Sequence, residues 1–453
     1  MTSCAERSAP VARVFRGTFM HSSGSAPLHI LEDALLGVNE QGKISFVGAA
    51  HEVDCLSKTW GFSSSQIKEL GPQEFFMPGL IDTHIHASQY SYTGTALDMP
   101  LLQWLNTYTF PTEANYKDLN FSKDVYTKVV VSWCEKFCFL ASRLHNFCSL
   151  FFFSDKFGQR ALVGKVCMDV NKAVKHYKET PEQSKKETNR FVHELLRRNY
   201  PLVMPIVTPR FAVSCSPQLL SHLGDIAKNN NLHIQSHISE NKEEVNLVKE
   251  LFPSCQSYTE VYRKHNLLTD KTVMAHGCHL TDSELKLFRD AGAAISHCPN
   301  SNISLCSGML DVRRVLKSKV KLGLGTDVAG GYSPSMLDAI RRALDTSKAL
   351  KIKDPQHETL SFEEVFRLAT LGGSQALCLE KKTGSFEVGK DFDALLINPL
   401  VQDGPFDVFP DDIVGTVIKA EHALHPFDSA GDDRNIREVY ISGKRVVPFQ
   451  KSL

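Results

Sequence analysis

His84 and His86 close the apolar run Phe76-Met77-Pro78-Gly79-Leu80-Ile81-Asp82-Thr83, and they are the residues whose type and spacing point most directly to chemistry. Alternate side chains of a strand face the same way, so the two imidazoles project together where the strand ends. Two neutral imidazoles aimed at one point are half of a first-row metal site, since imidazole suits zinc, iron and nickel. His237, His276, His297, Arg210 and Asp327 end later apolar runs. A scattered histidine is more often a satisfied core residue than a ligand; a shared position at strand ends raises these above that background.

His84, His86, His237 and Asp327 together offer three imidazoles and a carboxylate, enough to hold one divalent ion and leave a position for water. Such an ion lowers the pKa of its water from ~16 toward ~7 and so supplies hydroxide at neutral pH. Glu240, in His237-Ile238-Ser239-Glu240, can face the same pocket without touching the ion and is the candidate proton shuttle. His276 is placed to bond the attacking water or to orient Asp327. The competing signatures His-Glu-x-x-His, paired zinc-finger cysteines, and His-x-Glu with Pro-Cys-x-x-Cys are absent. Gly323-Leu324-Gly325 lacks the third glycine of a dinucleotide fingerprint, which argues against a nucleotide cofactor.

The elements that must position these side chains are visible as short apolar runs, at residues 161–168, 202–207, 233–237, 272–276, 293–297 and 321–327. Helix-sized spacers separate them; one, at residues 217–230, carries Leu219, Leu220, Leu223 and Ile226 at helical spacing. Alternation of this kind predicts a parallel sheet, and the number of units predicts a (β/α)8 barrel with its chemistry at the C-terminal ends of the strands. Both chain ends read as β-rich, with residues 35–38 and 44–47 flanking Asn39-Glu40-Gln41-Gly42 as in a hairpin, and similar runs at 392–397 and 439–447. The expectation is an α/β protein: a TIM-like metal-dependent hydrolase barrel over residues 76–385, and one small composite β domain built from residues 1–75 and 386–453.

The 453 residues carry 51 basic and 51 acidic side chains, so no long-range field favours nucleic acid or an anionic membrane, and a small, roughly neutral substrate is expected. Twelve cysteines, scattered singly with no signal peptide before them, read as free thiols of a cytoplasmic protein. The most apolar stretch, residues 137–153, is interrupted by Arg143, His145 and Asn146 and falls short of the roughly 20 residues a spanning helix needs.

In order along the chain, residues 78–86, His237-Ile238-Ser239-Glu240, Ala275-His276-Gly277, Ser296-His297-Cys298-Pro299-Asn300-Ser301-Asn302 and Gly325-Thr326-Asp327 resemble the motifs of the amidohydrolase superfamily, and within it the mononuclear zinc deaminases. His86-Ala87-Ser88-Gln89-Tyr90, Asp155-Lys156-Phe157-Gly158-Gln159-Arg160, Thr208-Pro209-Arg210-Phe211 and Thr326-Asp327-Val328-Ala329-Gly330-Gly331 are similar to the guanine deaminase family, over nearly the whole chain. The resemblance implies one zinc per chain, hydrolysis of guanine to xanthine and ammonia by attack at C2, and a homodimer. It implies that Glu240 protonates the ring nitrogen beside C2 while Asp327 and His276 manage the water proton. It places Gln89, Arg210 and Phe211 at the base, alongside His86, His237 and Asp327: Arg210 donating to the purine carbonyl, Gln89 meeting a purine edge with donor and acceptor, Phe211 stacking. Without the resemblance, Arg210 reads as a surface ion pair and Phe211 as core packing. Cys298 reads as a small buried residue. The alternatives are a deaminase of another cyclic amidine, such as 8-oxoguanine, a cytosine or a pterin, and a non-catalytic scaffold.

Residues 131–154 depart from that family, whose members carry a Gly-Thr-Thr-Thr-type segment as the second barrel strand. Here a Phe-rich tract ending Leu150-Phe151-Phe152-Phe153 precedes the return of family sequence at Asp155, and it reads as a translated splice-acceptor region. A barrel without that strand would have open edges and a looser metal site.

Overall fold

The computed structural model describes residues 10–134, 139–144, 158–402, 404–405, 413–414, 417–418, 424 and 427–448. The chain forms two compact units, Met1–Leu80 with Leu379–Leu453, and Ile81–Cys378. Its strands are β1 (Val11–His21), β2 (His29–Asn39), β3 (Ile44–Ala49), β4 (Ile67–Glu69), β5 (Phe75–Pro78), β6 (Ile81–Ile85), β7 (Phe139–Leu144), β8 (Arg160–Cys167), β9 (Val203–Pro209), β10 (His233–Ile238), β11 (Thr272–His276), β12 (Ala294–His297), β13 (Lys321–Leu324), β14 (Ala394–Ile397), β15 (Ile413–Val414), β16 (Val417–Ile418), β17 (Ile436–Ile441) and β18 (Lys444–Val447).

In the first unit one sheet runs β18-β17-β14-β5-β1-β2-β3, with β4 beside β1. The two chain ends meet where β5 and β14 pair antiparallel, Met77 opposite Leu395. Alternating aromatics make its core: Phe15 packs edge-on against Phe76 at 5.1 Å and stacks on Phe392 at 5.2 Å, with Phe19, Phe386 and Tyr440 around them. The expected hairpin is present, its turn fastened by the Asn39 side chain accepting from the Lys43 N–H at 2.9 Å. One boundary moves. Residues 76–78, expected at the head of the barrel, join Phe75 in this sheet, because Pro78-Gly79 divides the long apolar run into two strands.

In the second unit β6 to β13 lie side by side in chain order, and every pairing is parallel. The barrel closes between its first and last strands: Asp327 N–H donates to the His84 carbonyl at 2.9 Å, and His86 N–H to that of Val328 at 3.1 Å. The helix Pro217–Asn229 buries Leu219, Leu220, Leu223 and Ile226 as their spacing predicts, and the Ser216 hydroxyl caps it by accepting from Leu219 N–H. Its Gly224 sits where a Cβ would lie 1.9 Å from the His265 carbonyl oxygen, so only glycine allows the helix this close.

The second-strand position is filled from within the departing segment. β7 pairs with β6 on one side and β8 on the other, Ala141 opposite Leu162. Residues 135–138 and 145–157 lie outside the described residues, and with them the Phe-rich tract. No described helix is long and apolar enough to cross a membrane, and the eight cysteines whose side chains are described are free thiols.

Candidate metal centre and substrate pocket

Each expected side chain arrives from a strand end. His84 lies on β6 with His86 just past it, His237 on β10, His276 at the last position of β11, and Asp327 in the turn after β13. Asp82 ties the first of these to the last: its carboxylate accepts from the backbone N–H of His84 at 3.1 Å, from that of Thr326 at 3.1 Å, and from the Thr326 hydroxyl at 2.5 Å. His276 and Asp327 hold φ of +76° and +48°, in the left-handed region that non-glycine residues rarely occupy, so the fold spends local strain to aim both.

The side chains converge on one point. Asp327 Oδ1 is 3.3 Å from His84 Nε2 and 3.1 Å from His86 Nε2, and Asp327 Oδ2 is 3.7 Å from His276 Nε2. His86 Nε2 is 3.2 Å from His237 Nε2. His84, His237, His276 and Asp327 each bring a donor atom within 4.8 Å of the others. His276, expected outside the ligand set, stands in this group and the expected ligand His86 does not, although His86 Nε2 adjoins Asp327 and His237, so five side chains surround the point. His237 Nδ1 lies 2.7 Å from the Arg210 carbonyl, which can only accept, so Nδ1 carries the proton and Nε2 keeps its lone pair. His276 Nδ1 is 2.8 Å from the Asn302 side-chain oxygen in the same sense, leaving a buried Nε2 that makes no hydrogen bond among the described residues. Buried imidazole lone pairs with one carboxylate are the donor set that a zinc-like ion takes.

Two carboxyls beside this point are driven apart. Burial, reinforced by the charge of Asp327, pushes Glu240 up to about 8, although the Ser307 hydroxyl donates to its Oε1 at 2.9 Å. Burial also opposes the charge of Asp327, but hydrogen bonds from His84 and His86 and the nearby His276 outweigh it and hold that carboxyl well below the usual range. Neutral Glu240 lies with its Oε2 3.4 Å from His276 Nε2, so the pair offers an acid and a base in one site. His297 is buried and pushed down to about 3 by desolvation; it stays neutral and stands outside the metal group. Burial likewise drives the Cys298 thiol well up, which fits a small inert core residue.

A pocket adjoins the centre, lined by Gln89, Trp104, Leu105, Arg210, Phe211 and Leu305 together with His86, His237, Glu240 and Asp327. Arg210 is no surface residue. Both its Nη groups engage the two oxygens of buried Glu113, and its Cζ lies 4.9 Å from the centre of the Phe110 ring. Phe211 meets His237 edge-on at 6.2 Å. Gln89 lines the pocket with its amide already held at both ends: Oε1 accepts from Ala329 N–H at 3.0 Å, and Nε2 donates to Glu113 at 3.2 Å. Lys165, which ends no family-like segment, pairs with Glu179 at 2.5 Å. Sequence reasoning missed Glu113, Trp104, Ser307 and Asn302. The first two lie in a long connection after β6, unusual for a βα loop, and that length was the one signal available.

The sequence model of the amidohydrolase family matches residues 75–446. Guanine deaminase of Mus musculus is 56% identical over 456 residues, covering 99% of this chain and 100% of its own, and that of Dictyostelium discoideum is 43% identical over 96% of this chain and 98% of its own. Among solved structures, guanine deaminase from C. acetobutylicum with guanine bound in its active site superposes with a TM-score of 0.86 at 32% identity, over 96% of this chain and 99% of that one.

Proposed function

This chain belongs to the amidohydrolase family, as a guanine deaminase within it, and from that premise we propose the chemistry of its site: hydrolysis of guanine to xanthine and ammonia, with one zinc ion per chain held by His84, His86, His237 and Asp327. Zinc, when bound, acidifies a water so that a hydroxide nucleophile is available at neutral pH.

The protein's own groups carry the rest. Arg210 and Gln89 bind the carbonyl edge of the base, Phe211 packs against its ring, and Trp104, Leu105 and Leu305 keep bulk water away. Glu240, neutral in its buried setting and steadied by Ser307, gives its proton to the ring nitrogen beside C2. Asp327 stays ionised and accepts the proton of the attacking water. The Nε2 lone pair of His276, which faces both carboxyls, orients that water and steadies the charge as the proton passes to the departing amine. The observation that carries this reading is geometric: His84, His86, His237, His276, Glu240 and Asp327 converge on one buried point beside a pocket lined by Arg210. A cytoplasmic homodimer completes the proposal, the first part supported by the free cysteines and balanced charge, the second by family resemblance.

Ammonia release from guanine, measured with bound zinc by elemental analysis on one preparation, tests it. Turnover with about one zinc per chain is expected. A folded protein with neither supports a scaffold, and faster release from cytosine or 8-oxoguanine than from guanine overturns the substrate.

A further inference from the structure

We infer that Glu113 is a positioning residue for substrate selection: it sets the Arg210 guanidinium and the Gln89 amide as a donor-rich edge that accepts a purine bearing a carbonyl at C6 and disfavours one that lacks it. The inference rests on the guanine deaminase reading and deepens it. Glu113 is not among the residues lining the pocket, so it acts through the two that are.

The Glu113 side chain is fully buried, yet its carboxylate is surrounded by donors. Oε1 and Oε2 receive Arg210 Nη2 and Nη1, Oε1 receives Gln89 Nε2 at 3.2 Å and lies 3.4 Å from the Ser88 hydroxyl, and Oε2 receives the Tyr177 hydroxyl at 2.9 Å. Those contacts fill the acceptor capacity of a carboxylate. A two-pronged grip fixes the plane of a guanidinium as a single contact does not, and the Phe110 ring bounds the same group at 4.9 Å. Gln89 is fixed equally firmly. Its oxygen already accepts from Ala329 N–H at 3.0 Å and one amide N–H goes to Glu113, which fixes the amide plane and leaves the second N–H as its donor for a ligand. Arg210 has no acceptor at all and the oxygen of Gln89 is already engaged by Ala329, so donors predominate on this edge. A carbonyl satisfies that edge, a hydrogen leaves it unsatisfied, and an exocyclic amine opposes donor to donor. Glu113 also neutralises the buried Arg210 cation.

Glu113→Gln tests this, with steady-state constants for guanine and the inhibition constant of 2-aminopurine, which lacks the carbonyl, measured on zinc-loaded enzyme. The Michaelis constant for guanine should rise at least about tenfold while kcat and the 2-aminopurine constant stay within about threefold, as expected for loss of one charge-assisted contact. Glu113→Asp, which keeps the charge but retracts it, should fall between the two. Equal weakening of guanine and 2-aminopurine would show a general packing role and overturn the inference, as would an unmoved guanine constant. If Glu113→Gln does not fold, Glu113→Gln combined with Arg210→Met removes both charges. That pair should bind guanine no worse than Arg210→Met alone, and a further multiplicative loss would overturn a role exercised through Arg210. Wild-type enzyme without guanine turnover fails the activity reading itself, which separates the two outcomes.

Discussion

The Ser307 hydroxyl donates to Glu240 Oε1 at 2.9 Å, and the Asn302 side chain, from the same segment after β12, accepts from His276 Nδ1 at 2.8 Å. One stretch of chain thus aims both the acid and the imidazole that faces it. The Ser307 bond favours the ionised form of Glu240, so its removal should push that carboxyl higher still. Ser307→Ala is expected to lower kcat on the order of fivefold through lost aim and to move the alkaline limb of the kcat profile upward. A limb that moves down would contradict Glu240 as the acid.

Arg210 and Glu113 are both almost fully buried, which gives single and double substitutions different costs. Arg210→Met strands the Glu113 carboxylate and should cost about 3–5 kcal/mol in urea unfolding, whereas Arg210→Met with Glu113→Gln should recover much of that loss. Equal destabilisation by the single and double variants would mean that the charge pair is not what the site loses.

The five side chains around the metal point make different predictions for metal content. His86→Ala should leave well under one zinc per chain. His276→Ala should keep zinc near one per chain and lose at least about a hundredfold in kcat, because its Nε2 faces Glu240 and Asp327 as a proton-handling group. The reverse pattern would exchange their roles, which the central placement of His276 makes a real contest.

What the sequence made legible was whatever strand period and strand order dictate. The ends of β6, β10, β11 and β13 could be read from apolar runs closed by His or Asp, and a parallel barrel brings such ends together wherever they lie in the chain. Residues whose positions depend on how a long connection folds back were invisible. Glu113 sits in a run of short helical turns from Leu101 to Lys117, and nothing in its neighbours announces an arginine partner from β9's end. The orientation of Gln89 was hidden for the same reason: it depends on the N–H of Ala329, far away in sequence. The β5 to β6 break was misjudged because apolar character continues through Pro78-Gly79 while the hydrogen-bonding partners change.

His233, at the start of β10, gives an acid-stability prediction away from the metal point. Burial pushes its imidazole down to about 4 although its ring N–H donates to the Leu377 carbonyl at 2.9 Å. The unfolded chain binds that proton near pH 6.5, so the native state holds the advantage above pH 6.5 and loses it as pH falls toward 4. His233→Gln keeps a donor but does not titrate. In zinc-free protein, the stability difference between wild type and His233→Gln should shift by about 1–2 kcal/mol against the wild type between pH 7 and pH 5. A constant difference would show that His233 is solvated in the native state.

β7 lies in the segment that the sequence reading sets apart from the family, and its backbone pairing gives the sharpest test of that region. Leu140 is opposite Asp82 on one side and Ala161 on the other, and Ala141 is opposite Leu162, so Phe139–Leu144 is an interior strand of the barrel. Proline is excluded from interior strands because it removes an N–H from the ladder and fixes φ near −65°. Ala141→Pro should therefore destabilise the enzyme by about 3 kcal/mol or more. It should also reduce zinc occupancy, because β6, which carries His84, would lose its partner on that side. An unchanged melting temperature with full zinc would mean that residues 139–144 do not supply the second strand, and another part of the departing segment would have to fill it.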